Sequence, residues 1–317
     1  MIRPGSSPTS VSTSLLASAF AIWLAVCGPV VSQGLDEAFK RPANVGLFAE
    51  VLDKLGIKGF QRSYALVVGV NEFDEFESLP TENDPLRIRD YLIDEAGFDY
   101  VHILTKEMVT KARLEELMLD EFFPIVGEDD RFLFYWSGHG VTQVVGDGEV
   151  GFLPLSASKK DRISTMAAMS GISRWDGFLQ ARQVLYLLDS CFSGLAGVAP
   201  QGELEDIARE QLSGPARHML TAGRGNEQTI AIDALGGSVF THAVLKGLRG
   251  AADAKNGLGS DGLVSVGELK AFVGQEVTLQ RNKFNWNETI TPQLRDMASS
   301  DGAFFFPVAQ PAAPGDA

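Results

Sequence analysis

The sequence predicts an α/β protein with a central, mostly parallel β-sheet between two layers of helices. Short, dense apolar runs alternate with stretches of helical apolar spacing, and this alternation is typical of βαβ units. The runs Phe132–Trp136 and Val184–Leu188 are apolar at every position, as strands buried on both faces of a parallel sheet are. Each run leads into a segment of small residues, which indicates a turn at the carboxyl end of the strand.

The remaining elements are predicted in chain order from apolar spacing and from start and stop signals. Segment 34–61 is predicted to be a helical lead-in, because its apolar residues recur at helical intervals. The next helix has Asn83 or Asp84 as its cap and Pro85 in its first turn. The predicted strands are Tyr64–Val70, Val101–Leu104, Phe132–Trp136, Val184–Leu188, His218–Ala222 and Phe304–Val308. The predicted helices are Pro85–Ala96, Thr110–Phe123, a segment within Ser173–Ala181, Val239–Leu248 and Leu269–Val277, with a hairpin-like loop at Val145–Phe152.

Residues 1–33 have the features of a signal peptide. Arg3 precedes an apolar stretch at 15–31, and small residues such as Ser32 follow it. We therefore expect an exported protein, periplasmic or secreted. Because the apolar stretch is near the lower length limit for crossing a bilayer, an uncleaved membrane anchor is the alternative.

Charge and cysteine content narrow the function classes. The net charge of −14 argues against nucleic acid as a partner, because its binders need a basic face. Cys27 and Cys191 are the two cysteines of the sequence. If the signal is cleaved, Cys191 is the one cysteine left and forms no internal disulfide. A lone thiol in an oxidising compartment is at risk of oxidation, which favours a chemical role over a structural one.

The two small-residue segments carry the groups needed for nucleophilic catalysis. His139 lies in Ser-Gly-His-Gly and Cys191 in Asp-Ser-Cys-Phe-Ser-Gly, each directly after a predicted strand. Since the carboxyl ends of parallel strands meet at one edge of the sheet, we expect the imidazole and the thiol to lie close together. His139 can take the thiol proton and return it to a leaving amine. The backbone N–H groups of Gly140 and Cys191 can form an oxyanion hole.

Several longer motifs accompany these residues in a fixed order. They are Tyr64-Ala-Leu-Val-Val-Gly-Val-Asn71, Leu79-Pro-Thr-Glu-Asn-Asp84, Tyr135-Trp-Ser-Gly-His-Gly140, Leu187-Leu-Asp-Ser-Cys-Phe-Ser-Gly194, Gly237-Ser-Val-Phe-Thr-His242 and Thr291-Pro-Gln293. In these motifs the chain resembles the caspase-like cysteine peptidases, above all the metacaspases and their bacterial relatives. The resemblance covers about residues 62 to 306. It implies a three-layer α/β/α sandwich and a Cys–His dyad, with Cys191 as nucleophile and His139 as general base and acid.

The resemblance also implies a specificity. Metacaspases cleave polypeptides after Arg or Lys, and Asp189 and Asp84 stand at the positions of their acidic pocket residues. A desolvated carboxylate that faces a guanidinium is a strong, geometry-specific pair. For Asp84, an ordinary helix cap is the competing interpretation. Phe192 stands where metacaspases commonly have His, although bacterial relatives often carry an apolar residue there.

No metal site or required cofactor is expected. Segment 253–268 is similar to a calcium loop, but Gly257 and Gly259 stand at its first and third ligand positions. A turn, a short strand and a helix start are predicted there instead. Calcium activation, common in metacaspases, can involve acidic loops such as the one with Asp147 and Glu149. The other histidines are expected to be structural.

The predicted organisation has four parts. A signal or anchor at 1–33 and the lead-in at 34–61 precede a peptidase domain at 62–306, and 307–317 form a disordered tail. The domain divides into a catalytic part at 62–196, a loop at 197–214 and a smaller part at 215–306. An exported endopeptidase is the favoured function. The alternatives are a caspase-fold binding or scaffold module without turnover and a peptidase that stays latent until it is cut, for example at Arg209.

Overall fold

The computed structural model describes residues 34–41, 52–53, 56–146, 148–192, 212–225, 227, 230–253, 262–298 and 302–308; for Val145, Cys191 and Phe192 it describes the backbone alone. The strands are β1 (Asp36–Lys40), β2 (Ser63–Gly69), β3 (Tyr100–Thr105), β4 (Arg131–Ser137), β5 (Val141–Val145), β6 (Gly148–Leu153), β7 (Ala167–Ala168), β8 (Gln183–Phe192), β9 (Ala216–Arg224), β10 (Ala231–Ile232), β11 (Gly237–Ser238), β12 (Leu263–Ser265), β13 (Gln293–Asp296) and β14 (Phe305–Pro307). The helices are α1 (Asp84–Asp90), α2 (Lys111–Glu116), α3 (Met169–Phe178), α4 (Val239–Lys246) and α5 (Val266–Phe284), and π-helical turns at Tyr91–Glu95, Leu117–Phe122 and Gly247–Ala251 continue α1, α2 and α4.

Several helices begin at side chains that cap free backbone N–H groups. The Thr110 hydroxyl accepts a hydrogen bond from the N–H of Arg113 at the start of α2, and the Ser238 hydroxyl caps α4. At the start of α5, Ser265 and Glu268 form a reciprocal capping box. Such caps satisfy donors that have no partner within the helix.

Among the described residues, the main sheet has seven strands in the order β1-β3-β2-β4-β8-β9-β13. The five central strands run parallel to one another. The edge strands β1 and β13 run antiparallel to β3 and β9. The predicted mostly parallel sheet is therefore confirmed. A small sheet of β5, β6 and β7 follows β4 along the chain, and its first two strands form the predicted hairpin.

Helices cover both faces of the main sheet, and each face has its own apolar core. On one face, Leu133 and Tyr135 pack with residues of α1, α4 and α5. On the other face, Phe132 and Phe134 pack with residues of α2 and α3. Alternate residues of one strand thus enter opposite cores, which is why the run is apolar throughout. The predicted α/β/α sandwich is confirmed.

Residues 36–40 correct the predicted helical lead-in. They form β1, which pairs with β3 at the edge of the sheet. Asp36 on this strand lies 2.6 Å from the ring of buried His102 and 2.8 Å from the guanidinium of Arg113. Local apolar spacing carries no information about such long-range partners, which decide the structure here. Leu52 and Asp53 are helical, and residues 42–51 lie outside the described residues.

Other differences lie in the C-terminal part. Strand β13 is not among the predicted strands, and α5 extends beyond the predicted 269–277 at both ends. The predicted tail at 307–317 begins too early, because Pro307 belongs to β14 and the N–H of Val308 bonds to the carbonyl of Gly262 at 2.9 Å. Pairing with β12 holds this end of the chain against the domain.

The predicted signal or anchor at 1–33 and residues 197–211 of the predicted loop lie outside the described residues. Across the described part of the chain, no helix is both long enough and apolar enough to cross a bilayer.

Candidate active site

The carboxyl ends of β4 and β8 bring the two predicted motifs to one edge of the sheet. Ser137 of β4 is the register partner of Asp189 of β8. The N–H of Gly138 lies 3.5 Å from the carbonyl oxygen of Asp189. His139 and Cys191 each follow this pair by two residues. His139 thus follows β4 directly and Cys191 lies at the carboxyl end of β8, so their backbones lie at one edge of the sheet, as the sequence predicts.

A β-bulge directly precedes the candidate nucleophile. Leu188 is paired with Thr221 of β9, whereas Cys191 is paired with Gly223, so β8 has one extra residue between the two pairs. Bulges end regular pairing and increase strand twist, and they are frequent beside active sites. The bulge thus breaks the regular ladder just before Cys191.

The ring of His139 is held by a backbone carbonyl and two aromatic side chains. Its Nε2 atom lies 2.7 Å from the carbonyl oxygen of Glu77, and its centroid lies 4.9 Å from that of Phe73 and 5.8 Å from that of Phe76. Because a carbonyl oxygen only accepts hydrogen bonds, Nε2 carries the proton. In the neutral ring, Nδ1 then has the free lone pair that a general base needs.

His139 lines an open cleft of about 330 Å³. The lining residues come from the loop after β2, the turn after β4 and the segment from Glu227 to β11. They are Glu77, Ser78, Leu79, Pro80, Thr81, His139, Gly140, Glu227, Ile230, Ala231 and Ser238. Glu77 and Glu227 contribute acidic groups to this lining, and its described residues include no lysine or arginine.

Asp84 lies behind this cleft and is fully buried. Its Oδ2 atom accepts a 2.8 Å hydrogen bond from the N–H of Ser238, and its Oδ1 atom lies 3.2 Å from the Arg87 guanidinium. Gly237 has φ +144, and a Cβ there would lie 2.2 Å from Asp84 Oδ1, so only glycine fits. The N-cap position belongs to Asn83 and the Asp84 side chain faces β11. The interpretation of Asp84 as a helix cap is therefore wrong.

Asp189 lies on the same face of the sheet and is 2% exposed. Its Oδ2 atom accepts a 2.6 Å hydrogen bond from the Thr241 hydroxyl. Within the described residues, its Oδ1 atom is buried and has no hydrogen-bond partner. Burial raises the pKa of Asp189 to about 6, and the neighbouring hydroxyls of Ser238 and Thr241 limit the rise. Burial also raises the pKa of Asp84 to about 8, and the charge of Asp189 adds to this rise.

The remaining histidines have structural partners or positions, as the sequence analysis expects. His102 bonds to Asp36 at one edge of the main sheet, and His218 lies 2.8 Å from Asp296 at the other edge. Each pair ties an edge strand to its neighbour. His242 lies on α4, half-buried, and burial lowers its pKa.

The described residues contain no group of three or more His, Cys, Asp or Glu side chains that could hold a metal ion. Glu149 is exposed on β6, and Asp147 lies outside the described residues. In segment 253–268, β12 and the start of α5 match the predicted short strand and helix start, and residues 254–261 lie outside the described residues. Gly140 lines the cleft, and its part in an oxyanion hole stays a prediction.

Sequence reasoning missed the residues that hold the two aspartates in place. Tyr135 is one aromatic residue within an apolar run, and Thr241 is one polar residue on a mostly apolar helix, so neither attracts attention alone. Ser238 and Thr241 belong to the motif from Gly237 to His242, which marked the segment without assigning a role to any residue in it.

The chain has matches among protein families and among solved structures. A sequence profile described as "Caspase domain" matches residues 62–298. No curated protein matches the chain. Among solved structures, a structural-genomics protein from Geobacter sulfurreducens has a TM-score of 0.50 and 18% sequence identity, over 76% of this chain and 94% of that one. Caspase-1 from Spodoptera frugiperda has a TM-score of 0.49 and 14% identity, over 76% of this chain and 88% of that one.

Proposed function

Because the chain belongs to the caspase-domain family, whose members are cysteine peptidases acting on polypeptides, we propose that it is an exported endopeptidase that cleaves after Arg or Lys. The observation that carries the proposal is the placement of His139. Its ring lies in an acidic cleft, Nε2 is bonded to the carbonyl of Glu77, and the next strand carries Cys191. Residues 1–33 supply the argument for export.

In the proposed reaction, Nδ1 of His139 takes the proton of the Cys191 thiol. The thiolate sulfur attacks the carbonyl carbon of the scissile bond, and the oxygen takes up the negative charge between the N–H groups of Gly140 and Cys191. Collapse of this intermediate breaks the C–N bond, and the leaving amine receives the proton from His139. Water, deprotonated by His139, then hydrolyses the thioester and the thiol is restored.

The pocket for the side chain before the scissile bond is assigned to the two aspartates. Both oxygens of Asp84 already have partners within the chain, whereas Oδ1 of Asp189 has none among the described residues. We therefore assign the direct contact with a guanidinium or ammonium group to Asp189. Asp84 adds negative charge next to it. A carboxylate in such a dry site discriminates strongly between cationic and neutral side chains.

The test uses the purified full-length protein and peptides with a fluorogenic group after Arg, Lys or Asp. We expect turnover of the Arg and Lys peptides and at least a ~1,000-fold loss in Cys191→Ala and His139→Gln. His242→Gln serves as the matched control and retains activity. Turnover that persists in Cys191→Ala would refute the mechanism.

A scaffold without turnover is distinguished by labelling Cys191 with an Arg chloromethyl ketone. Labelling of the folded protein supports the peptidase, and its absence supports the scaffold. Calcium activation through the loop of Asp147 and Glu149 is a separate proposal, tested by the same assay in calcium and in EGTA. Latency until cleavage at Arg209 predicts fragments on storage in the wild type that Cys191→Ala does not produce.

A further inference from the structure

A chain of buried hydroxyls leads from the core of the sheet to Asp189. The hydroxyl of Tyr135 lies 2.6 Å from the hydroxyl of Thr241, which in turn lies 2.6 Å from Asp189 Oδ2. Tyr135 and Thr241 have no exposed surface. The Thr241 hydroxyl has one proton, and the carboxylate accepts it, so Tyr135 donates to Thr241. The two donors therefore point in one direction, toward Asp189.

This chain leaves the two oxygens of Asp189 in different situations. Oδ2 has a short hydrogen bond, whereas Oδ1 is buried and has no partner among the described residues. A buried acceptor without a partner is costly, and native proteins rarely keep one without a reason. An incoming cationic donor would satisfy it.

We propose that Thr241, oriented by Tyr135, is a positioning residue for substrate specificity: it occupies Oδ2 of Asp189 and thereby reserves Oδ1 for the cationic side chain of the substrate. This inference rests on the proposed function, in which Asp189 receives Arg or Lys. It assigns a role to the motif from Gly237 to His242, which the dyad leaves unexplained.

The same motif also holds the second aspartate. The N–H of Ser238 bonds to Asp84, and the Ser238 hydroxyl accepts from the N–H groups of Phe240 and Thr241 at the start of α4. One tight turn thus fixes Asp84 through its backbone and presents Thr241 to Asp189. The arrangement of both carboxylates depends on this turn.

Removal of the Thr241 hydroxyl has a defined electrostatic consequence. The titratable group from α1 that faces Asp189 is Asp84, with Arg87 on its far side. Tyr135 faces it from β4, and burial raises the pKa of the Tyr135 hydroxyl, which is therefore neutral at the pH of the assays. Without the hydroxyl of Thr241, the charged form of Asp189 loses its 2.6 Å hydrogen bond at Oδ2, and the neighbouring hydroxyl of Ser238 is the one that remains. The protonated form of Asp189 is then favoured, and the attraction of Asp189 for a cation falls.

The test compares Thr241→Val, which keeps the shape and removes the hydroxyl, with Thr241→Ser, which keeps the hydroxyl. For the Arg peptide, Thr241→Val should raise KM about tenfold with kcat within about twofold, and Thr241→Ser should remain within about threefold of the wild type. Tyr135→Phe should have a smaller effect in the same direction. Thr278→Val is the matched control, since the Thr278 hydroxyl bonds to the Gly274 carbonyl on the exposed side of α5.

A second readout does not depend on turnover. In the Cys191→Ala background, calorimetry measures binding of N-acetyl-arginine amide and of its uncharged analogue N-acetyl-citrulline amide. Thr241→Val should weaken binding of the arginine probe about tenfold and leave binding of the citrulline probe unchanged. Melting temperatures identify any variant that fails to fold, in which case Thr241→Ser and Tyr135→Phe decide the question.

The outcomes distinguish a failure of the role given to Thr241 from a failure of the assignment of Asp189 as the pocket residue. If the arginine probe binds equally to the parent and to Thr241→Val, the role of Thr241 is refuted and the pocket assignment stands. If the parent does not prefer arginine over citrulline, the assignment of Asp189 fails and the inference about Thr241 fails with it. A uniform weakening of both probes by Thr241→Val contradicts the inference, because it indicates general damage to the cleft.

Discussion

Asp84 and Asp189 form an electrostatically coupled pair of buried carboxyl groups, in which the charge of Asp189 raises the pKa of Asp84 beyond the effect of burial. Neither side chain is appreciably exposed to solvent. The two therefore titrate as a pair, and the pair retains a proton near neutral pH. On the proposed function, an arginine side chain that binds here would have to displace this proton to meet two negative charges.

Binding of a cation should therefore become tighter as the pH rises. Between pH 5.5 and 8.5 the pair loses its protons, since the pKa values are about 6 and about 8. We expect affinity of the Cys191→Ala protein for N-acetyl-arginine amide to rise at least about tenfold over this range. N-acetyl-citrulline amide is the control, and equal pH dependence of both probes would contradict this explanation.

The same pair makes a pH-dependent contribution to stability. Because the folded pKa of Asp84 is raised, the folded state holds its proton more tightly than the unfolded state does. Stability from this source is fully present below about pH 4 and is lost as the pH rises through about 8. Asp84→Asn should therefore raise the melting temperature by ~2–4 °C at pH 8.5, with little change at pH 5.

Two features make this substitution informative. An asparagine oxygen can still accept from the N–H of Ser238, and Arg87 keeps the carbonyls of Leu235 and Gly236 as partners. Asp90→Asn, on the exposed side of the same helix, is the matched control. A lower melting temperature for Asp84→Asn at pH 8.5 would show that the ion pair with Arg87 outweighs the burial of charge.

The aromatic contact on His139 should matter for catalysis rather than for binding. Phe73 lies against the imidazole, and its replacement by leucine leaves the ring free to turn away from its bond with Glu77. We expect Phe73→Leu to lower kcat about 10-fold and to change KM less than about twofold. Phe178→Leu removes one ring of the exposed Phe123–Phe178 pair and is the control. An effect confined to KM would assign Phe73 to substrate binding instead.

Stability should depend strongly on Arg131, at the opposite end of β4. Its guanidinium is buried, donates to Ser63 Oγ and to the carbonyls of Phe305 and Ala96, and lies over the ring of Phe98. Burial lowers its pKa to about 10. Arg131→Met should lower the free energy of unfolding by about 3 kcal/mol, because buried acceptors lose their donor.

Denaturant titration measures this effect, with Arg174→Met as its control. Arg174 pairs with Glu115 at the surface, and such pairs contribute less than ~1 kcal/mol. Equal destabilisation by both substitutions would contradict this prediction. It would mean that the buried, aromatic surroundings of Arg131 give its charged group no more stabilising interactions than a surface ion pair has.

The sequence predicts the central sheet and the placement of His139 and Cys191 at one sheet edge because both depend on local patterns. Apolar runs identify buried strands, and residues directly after parallel strands must share an edge. The edge strands are harder to predict: β13 contains Leu294 as its single apolar residue, and β1 has the mixed sequence Asp-Glu-Ala-Phe-Lys. Their structure depends on partners far away in the chain, such as His218 for Asp296.

The residues that hold Asp189 and Asp84 in place cannot be identified from the sequence for a related reason. Tyr135 sits in a run where an aromatic residue needs no explanation, and its bond to Thr241 joins residues 106 positions apart. Local patterns could not pair them. The same holds for Ser238 and Asp84, which are 154 positions apart.

The most direct test of the central claim is the cleavage profile of the full-length protein on a peptide library, read by mass spectrometry, with Cys191→Ala as the parallel sample. We predict cuts after Arg and Lys in the wild type and none in Cys191→Ala. Cuts after Asp, or equal cuts in both samples, would contradict the account.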